Sequence, residues 1–181
     1  MILLYVLGLI FSISVSFLFI FSGFLKLFAW KESAVFMEKI DIIPKKIARP
    51  IGLLIPFVEI AVAVLLLVAS NNILVFILTA ILIVVLISIN FKAVLEKKQT
   101  DCFCLGKLIN TKTGYGGLVQ CFLLLLSIIP SFLFSGTFTA FDILNLESIQ
   151  ILTILATSIL WTISLITIRK VIEILYAPAN G

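Results

Sequence analysis

The feature that most limits what this chain can become is the recurrence of apolar runs about as long as a bilayer is thick. A helix needs about 20 apolar residues to cross the hydrocarbon core, and runs of roughly that length appear five times in the 181 residues. Inside lipid every backbone N–H and C=O must be satisfied within the protein, which leaves helices or closed barrels. These runs are continuously apolar rather than alternating, so they are helices. With 62% hydrophobic and 12% charged residues, the chain has about half the charge of a soluble domain. The net charge of +4 does not describe a nucleic-acid binder, because the basic residues flank apolar segments instead of forming a face on a soluble domain. The expected fold is all-α: a polytopic transmembrane bundle with a four-helix core and a fifth C-terminal span.

Read in order, the spans fall at 2–25, 51–69, 73–91, 115–134 and 149–168, within a single membrane domain over 1–181. The first run begins at Met1 without a basic leader or a small-residue cleavage signal, and reads as a retained helix. Gly8, Ser12, Ser16 and Gly23 share a face that lets a neighbouring helix approach, continued by Lys26 and Trp30. Between Lys31 and Arg49 a short interfacial helix is expected, ending near Pro44, with Val35, Phe36 and Ile40 on one face and Glu32 and Lys39 outward. The hydroxyls of the fifth span, Thr153, Thr157 and Ser164, can bond back onto their own helix. Lys and Arg cluster in the connections 26–49 and 92–112 and again at Arg169-Lys170, and are missing from 70–72 and 135–148. The positive-inside rule then puts the N-terminus outside and the C-terminus inside a bacterial cell membrane, with the 92–114 loop in the cytoplasm. A role in oxidative folding would place reactive thiols on the opposite side.

That loop carries the chemistry. Cys102 and Cys104 lie two residues apart, Cys121 follows in the next span, and the chain has no histidine. A disulfide between Cys102 and Cys104 would close a small, strained ring, suited to exchange more than to stabilisation. Lys98 and Lys107 favour the thiolate, while Gly106 serves as a hinge and Gly114-Tyr115-Gly116-Gly117 as a flexible approach. The plain alternative is a pair of inert thiols, with Cys121 a small buried hydrophobe. Three cysteines without histidine do not readily make a zinc site, so no metal is expected. Glu59 is expensive at its depth in the second span unless paired. Lys26 ends the first span on the same side and can reach it, with Asn90 and Gln120 completing a polar pocket.

Taken together, Phe21-Ser22-Gly23-Phe24-Leu25-Lys26-Leu27, Pro56-Phe57-Val58-Glu59 and Cys102-Phe103-Cys104-Leu105-Gly106, in that order, make the chain resemble the MauE/DoxX group of redox-associated membrane proteins. The resemblance implies a bundle distantly akin to the vitamin K epoxide reductase type. It also implies disulfide chemistry alongside a thioredoxin-like partner, with a membrane quinone as one exchanger of electrons. Two positions depart from the family pattern: Leu105 replaces an aromatic residue, and Gln120-Cys121 stand where a basic residue is common.

The leading expectation is therefore a membrane thiol–disulfide oxidoreductase or electron-relay subunit. Cys102 and Cys104 would exchange, Cys121 would resolve, and Lys26 and Glu59 would organise the pocket. The rival is a non-catalytic subunit or transporter-like bundle in which Lys26 and Glu59 form a structural pair.

Overall fold

The computed structural model describes residues 2–40, 44–69, 72–96, 101–102, 111–134 and 148–176. Six helices follow one another: α1 (Ile2–Phe28), α2 (Trp30–Ile40), α3 (Lys45–Val68), α4 (Ile73–Leu95), α5 (Tyr115–Phe134) and α6 (Ser148–Leu175). Between α4 and α5 two short strands, β1 (Asp101–Cys102) and β2 (Thr111–Lys112), pair antiparallel with Cys102 opposite Thr111. That ladder was not expected from the loop's sequence, and the fold remains an all-α bundle. Four helices, α1, α3, α4 and α6, are long and apolar enough to cross a membrane; α5 is a shorter apolar helix. The protein is a multi-pass membrane protein.

α1 is the central element, packed against α3, α5 and α6, while α4 lies mainly on α5. The core joins Val15, Leu18 and Phe19 of α1 with Val62 and Leu66 of α3, Ile83 of α4, Leu124 and Ile128 of α5 and Leu165 of α6. The outer faces show Leu54 and Phe57 of α3, Ile81 of α4 and Leu160 of α6, as expected where lipid replaces water as the solvent. Without a hydrophobic force between helices, close packing and hydroxyl contacts hold such a bundle together. Gly8, Ser12 and Ser16 are indeed buried in the packing seam of α1. The Ser12 hydroxyl donates to Leu66 O of α3 at 3.4 Å, and Ser14 donates to Ser158 O of α6 at 3.1 Å. In return Ser158 donates to Ile10 O and Thr162 to Ser14 O, each at 3.2 Å. A Cβ at Gly23 would stand 2.9 Å from the Pro56 carbonyl oxygen, so only glycine lets α1 and α3 close to this distance. Trp30 does not continue the seam: it begins α2, half exposed, with Lys31 stacked against its ring.

Several boundaries differ from expectation. α3 begins at Lys45, six residues before the expected span, and contains both Pro50 and Pro56. A proline inside a helix cannot donate to the carbonyl four residues back; for Pro56 that carbonyl is Gly52 O, and the Ser33 hydroxyl of α2 donates to it at 3.1 Å. α2 thus lies on α3 through a bond that proline left open. It buries Phe36, Met37 and Ile40, while Val35 is exposed, because helical spacing pairs Phe36 with Ile40 and turns Val35 away. Thr153 and Thr157 do bond back to their own helix, at 2.8 and 2.7 Å. The last helix runs to Leu175, seven residues past the expected end, since Val171, Ile172, Ile174 and Leu175 keep the helical pattern going beyond Arg169-Lys170.

Candidate functional site

The polar residues converge at the end of the bundle where α1 finishes. Lys26 ends the buried face of α1 and forms a salt bridge with Glu59 Oε1; the other carboxylate oxygen accepts from the Ser22 hydroxyl at 3.2 Å. Glu59 is fully buried and Lys26 nearly so. With α3 starting at Lys45, Glu59 lies about 20 Å along the helix from its basic first turn at the helical rise. A carboxylate there needs a partner, and Lys26 with Ser22 supplies both charge and a second hydrogen bond. Ser22 was not singled out in the sequence, although it sits one turn before Lys26 on the same face.

A cavity of about 30 Å³ opens beside this pair, lined by Ser22, Lys26 and Glu59, by Asn90 of α4, by Gln120 and Cys121 of α5, and by Arg169 of α6. Leu18, Phe19, Leu86 and Leu124 make its apolar walls. The structure therefore brings Lys26, Glu59, Asn90, Gln120 and Cys121 around one space. Cys121 is a free thiol, buried in the core cluster as well as facing the cavity. Asn90 is turned by two bonds: its Nδ2 donates to Leu86 O at 2.8 Å, and its Oδ1 accepts from the Gly114 N–H at 3.3 Å. That second bond ties the start of α5, just after β2, to the cluster. A Cβ at Gly117 would lie 1.9 Å from Asn90 Oδ1, and one at Gly116 would lie 2.7 Å from Arg169 O. These glycines, expected as a flexible approach, are instead in the first turn of α5 and serve close helix packing.

Arg169 is the residue the sequence reading missed. Placed after the expected fifth span, it counted as an orienting flank charge. It is buried, and its Nη1 donates to Gln120 Oε1 at 2.6 Å. A signal was present: Ile154, Ser158, Thr162, Leu165 and Arg169 are the buried residues of α6, spaced by three or four along one helical stripe. Lys26 was likewise counted as a flank charge and is buried, so two of the charges used for orientation do not face the membrane surface. Exposed Lys31, Lys39, Lys46 and Arg49 keep the basic character of the α1–α3 connection.

The thiol pair is only partly placed. Cys102 belongs to β1 by its backbone, and β2 packs against α6. Cys104, Gly106, Lys98 and Lys107 lie outside the described residues.

Fold and site together define a multi-pass helical membrane protein with a buried charge cluster tied through Gly114 to the end of a two-strand ladder that includes Cys102. A family model described as methylamine utilisation protein MauE matches residues 4–134, well over half of the sequence, and the chain belongs to the MauE family. No curated protein and no solved structure matches it. The matched stretch ends with α5, so Arg169 enters the cavity from outside it.

Proposed function

We propose that this MauE-family protein is a membrane thiol–disulfide exchanger in which Cys102 and Cys104 form the exchanging pair and Cys121 resolves a mixed disulfide. The supporting observation is the tie between hairpin and cluster: the chain leaving β2 is bonded through Gly114 to Asn90, which lines the same cavity as Cys121, Lys26 and Arg169. A partner thiolate, of a thioredoxin-like protein, attacks one sulfur of a Cys102–Cys104 disulfide and releases the other as a thiolate. A second partner thiol then closes the partner's disulfide; where that thiol is lacking, the Cys121 thiolate attacks the bridged sulfur of Cys102 or Cys104 and releases the partner thiol. Two electrons pass to the pair, and protons from the partner's thiols end on Cys102 and Cys104; the reverse sequence oxidises them. Lys98 and Lys107, close to the pair in sequence, favour the thiolates formed at each step.

A quinone ring does not fit the cavity of about 30 Å³, far below the few hundred Å³ of ordinary small-molecule sites, and no step is routed through one. The family description names methylamine utilisation. A cavity lined by two cations against one carboxylate repels an alkylammonium ion, so the role proposed within that process is thiol exchange, not amine binding. The five-span arrangement within one domain and the charge-derived orientation belong to the same proposal.

A second reading, a non-catalytic subunit, draws on the completeness of the Lys26–Glu59–Ser22 set, which needs no turnover to explain it. Equilibration of the purified protein in glutathione buffers of defined poise, followed by mass spectrometry, separates the two. Exchange predicts a reversible Cys102–Cys104 bridge, with loss of electron transfer to a thioredoxin-like dithiol in Cys102→Ser and Cys104→Ser. No bridge at any poise, with both variants fully active, leaves the structural reading standing.

A further inference from the structure

We propose that the cavity at Arg169 is a binding site for a small inorganic anion of halide size. The two buried cations lining it are satisfied differently. Lys26 is neutralised by Glu59. Arg169 Nη1 donates to the neutral amide oxygen of Gln120, and its Nε and Nη2 are buried without a hydrogen-bond partner among the described residues. Glu173, one turn further along α6, attracts the guanidinium without satisfying its Nε or Nη2, is engaged by Lys170 at 3.5 Å and does not line the cavity.

A buried guanidinium in this state carries two costs: N–H groups without acceptors and a charge that no carboxylate among the described residues neutralises through those N–H groups. A water molecule in the cavity relieves only the first. An anion relieves both, and the apolar walls of Leu18, Phe19, Leu86 and Leu124 strengthen its attraction to the guanidinium by lowering the local dielectric. The adjacent Nε and Nη2 present two donors in the fork geometry with which arginine holds anions. Size selects among anions. A volume of about 30 Å³ is room for one or two waters; it accepts a halide and excludes phosphate, sulfate and organic acids. This inference stands whether or not Cys102 and Cys104 exchange.

The test is equilibrium binding of radiolabelled chloride to the full-length protein purified in detergent, with unlabelled bromide and gluconate as competitors at constant ionic strength. The proposal predicts saturable binding stoichiometric with the chain, displaced by bromide and not by gluconate. Arg169→Gln abolishes it, and Lys46→Gln, at an exposed lysine on α3, leaves it unchanged. Should Arg169→Gln fail to fold, Gln120→Glu gives the same information: it sets a carboxylate against the guanidinium in nearly unchanged shape, and should remove chloride binding from a protein at least as stable as wild type. No saturable binding to wild type overturns the proposal, as does binding that survives either Arg169→Gln or Gln120→Glu.

Discussion

Lys26 and Arg169 are buried to the same degree and face the same cavity; both counted among the flank charges, Lys26 also as the expected partner of Glu59, yet the protein treats them in opposite ways. Lys26, inside the family-matched stretch, is given a carboxylate and, through that carboxylate, a serine. Arg169, beyond the matched stretch, is given a neutral amide and left with open donors among the described residues. The difference teaches how to separate structural from functional charge in a membrane. A matched pair holds two helices together and can be complete in itself; an incompletely matched cation at a cavity is an open position for a ligand or for a thiolate that forms during exchange.

The largest effect should come from breaking the matched pair. Glu59→Gln leaves Lys26 buried without a counter-charge and should cost about 3–5 kcal/mol in an SDS-titration unfolding assay, whereas replacing Lys26 and Glu59 together by Met and Leu should cost much less. Additive losses across that double-mutant cycle would contradict direct coupling. Next, Gly117→Ala drives a methyl group into the Asn90 amide and should cost about 1–3 kcal/mol by overpacking, while also loosening the Gly114–Asn90 tie. Faster hydrogen exchange at the start of α5 is the check.

Arg169→Met should behave unlike Glu59→Gln. It removes an incompletely satisfied charge but leaves the buried Gln120 Oε1 without its donor, so it should cost about 1–2 kcal/mol, well below Glu59→Gln. A loss as large as that of Glu59→Gln would erase the distinction between the two cations. The smallest effect is expected at the hydroxyl seam: Thr162→Val removes one α6–α1 hydrogen bond to Ser14 O and should cost about 0.6 kcal/mol, the average for interhelical hydrogen bonds in a membrane bundle.

What could be read in advance follows from which signals are local. Apolar run length and the expense of Glu59 in lipid are properties of single segments, and they led to the bundle and to the Lys26–Glu59 contact. Asn90 and Gln120 could be grouped because both lie near the loop-side ends of their spans. Arg169 was lost because a cation after an apolar run normally marks the membrane edge, and only the continued periodicity of α6 distinguishes it. Gly116 and Gly117 were misassigned because glycine supports a flexible loop and a close helix contact equally well; only the positions of Arg169 and Asn90, on other helices, decide. The resemblance expects a basic group near the start of the fourth span. Gln120 stands there instead, and Arg169 brings a guanidinium to it from another helix, which no local pattern announces.

The central claim is that the thiol hairpin and the buried cluster work as one site, and trapping Cys121 tests it most directly. In Cys104→Ser, a small disulfide reagent should first form a mixed disulfide with Cys102. The Cys121 thiolate should then attack Cys102 Sγ, releasing the reagent thiol and leaving a Cys102–Cys121 bridge visible by peptide mass spectrometry. Accumulation of that bridge is the predicted result. Full labelling of Cys102 by the reagent, with Cys121 remaining a free thiol and no bridge formed, would show that the hairpin and the cavity do not exchange thiols.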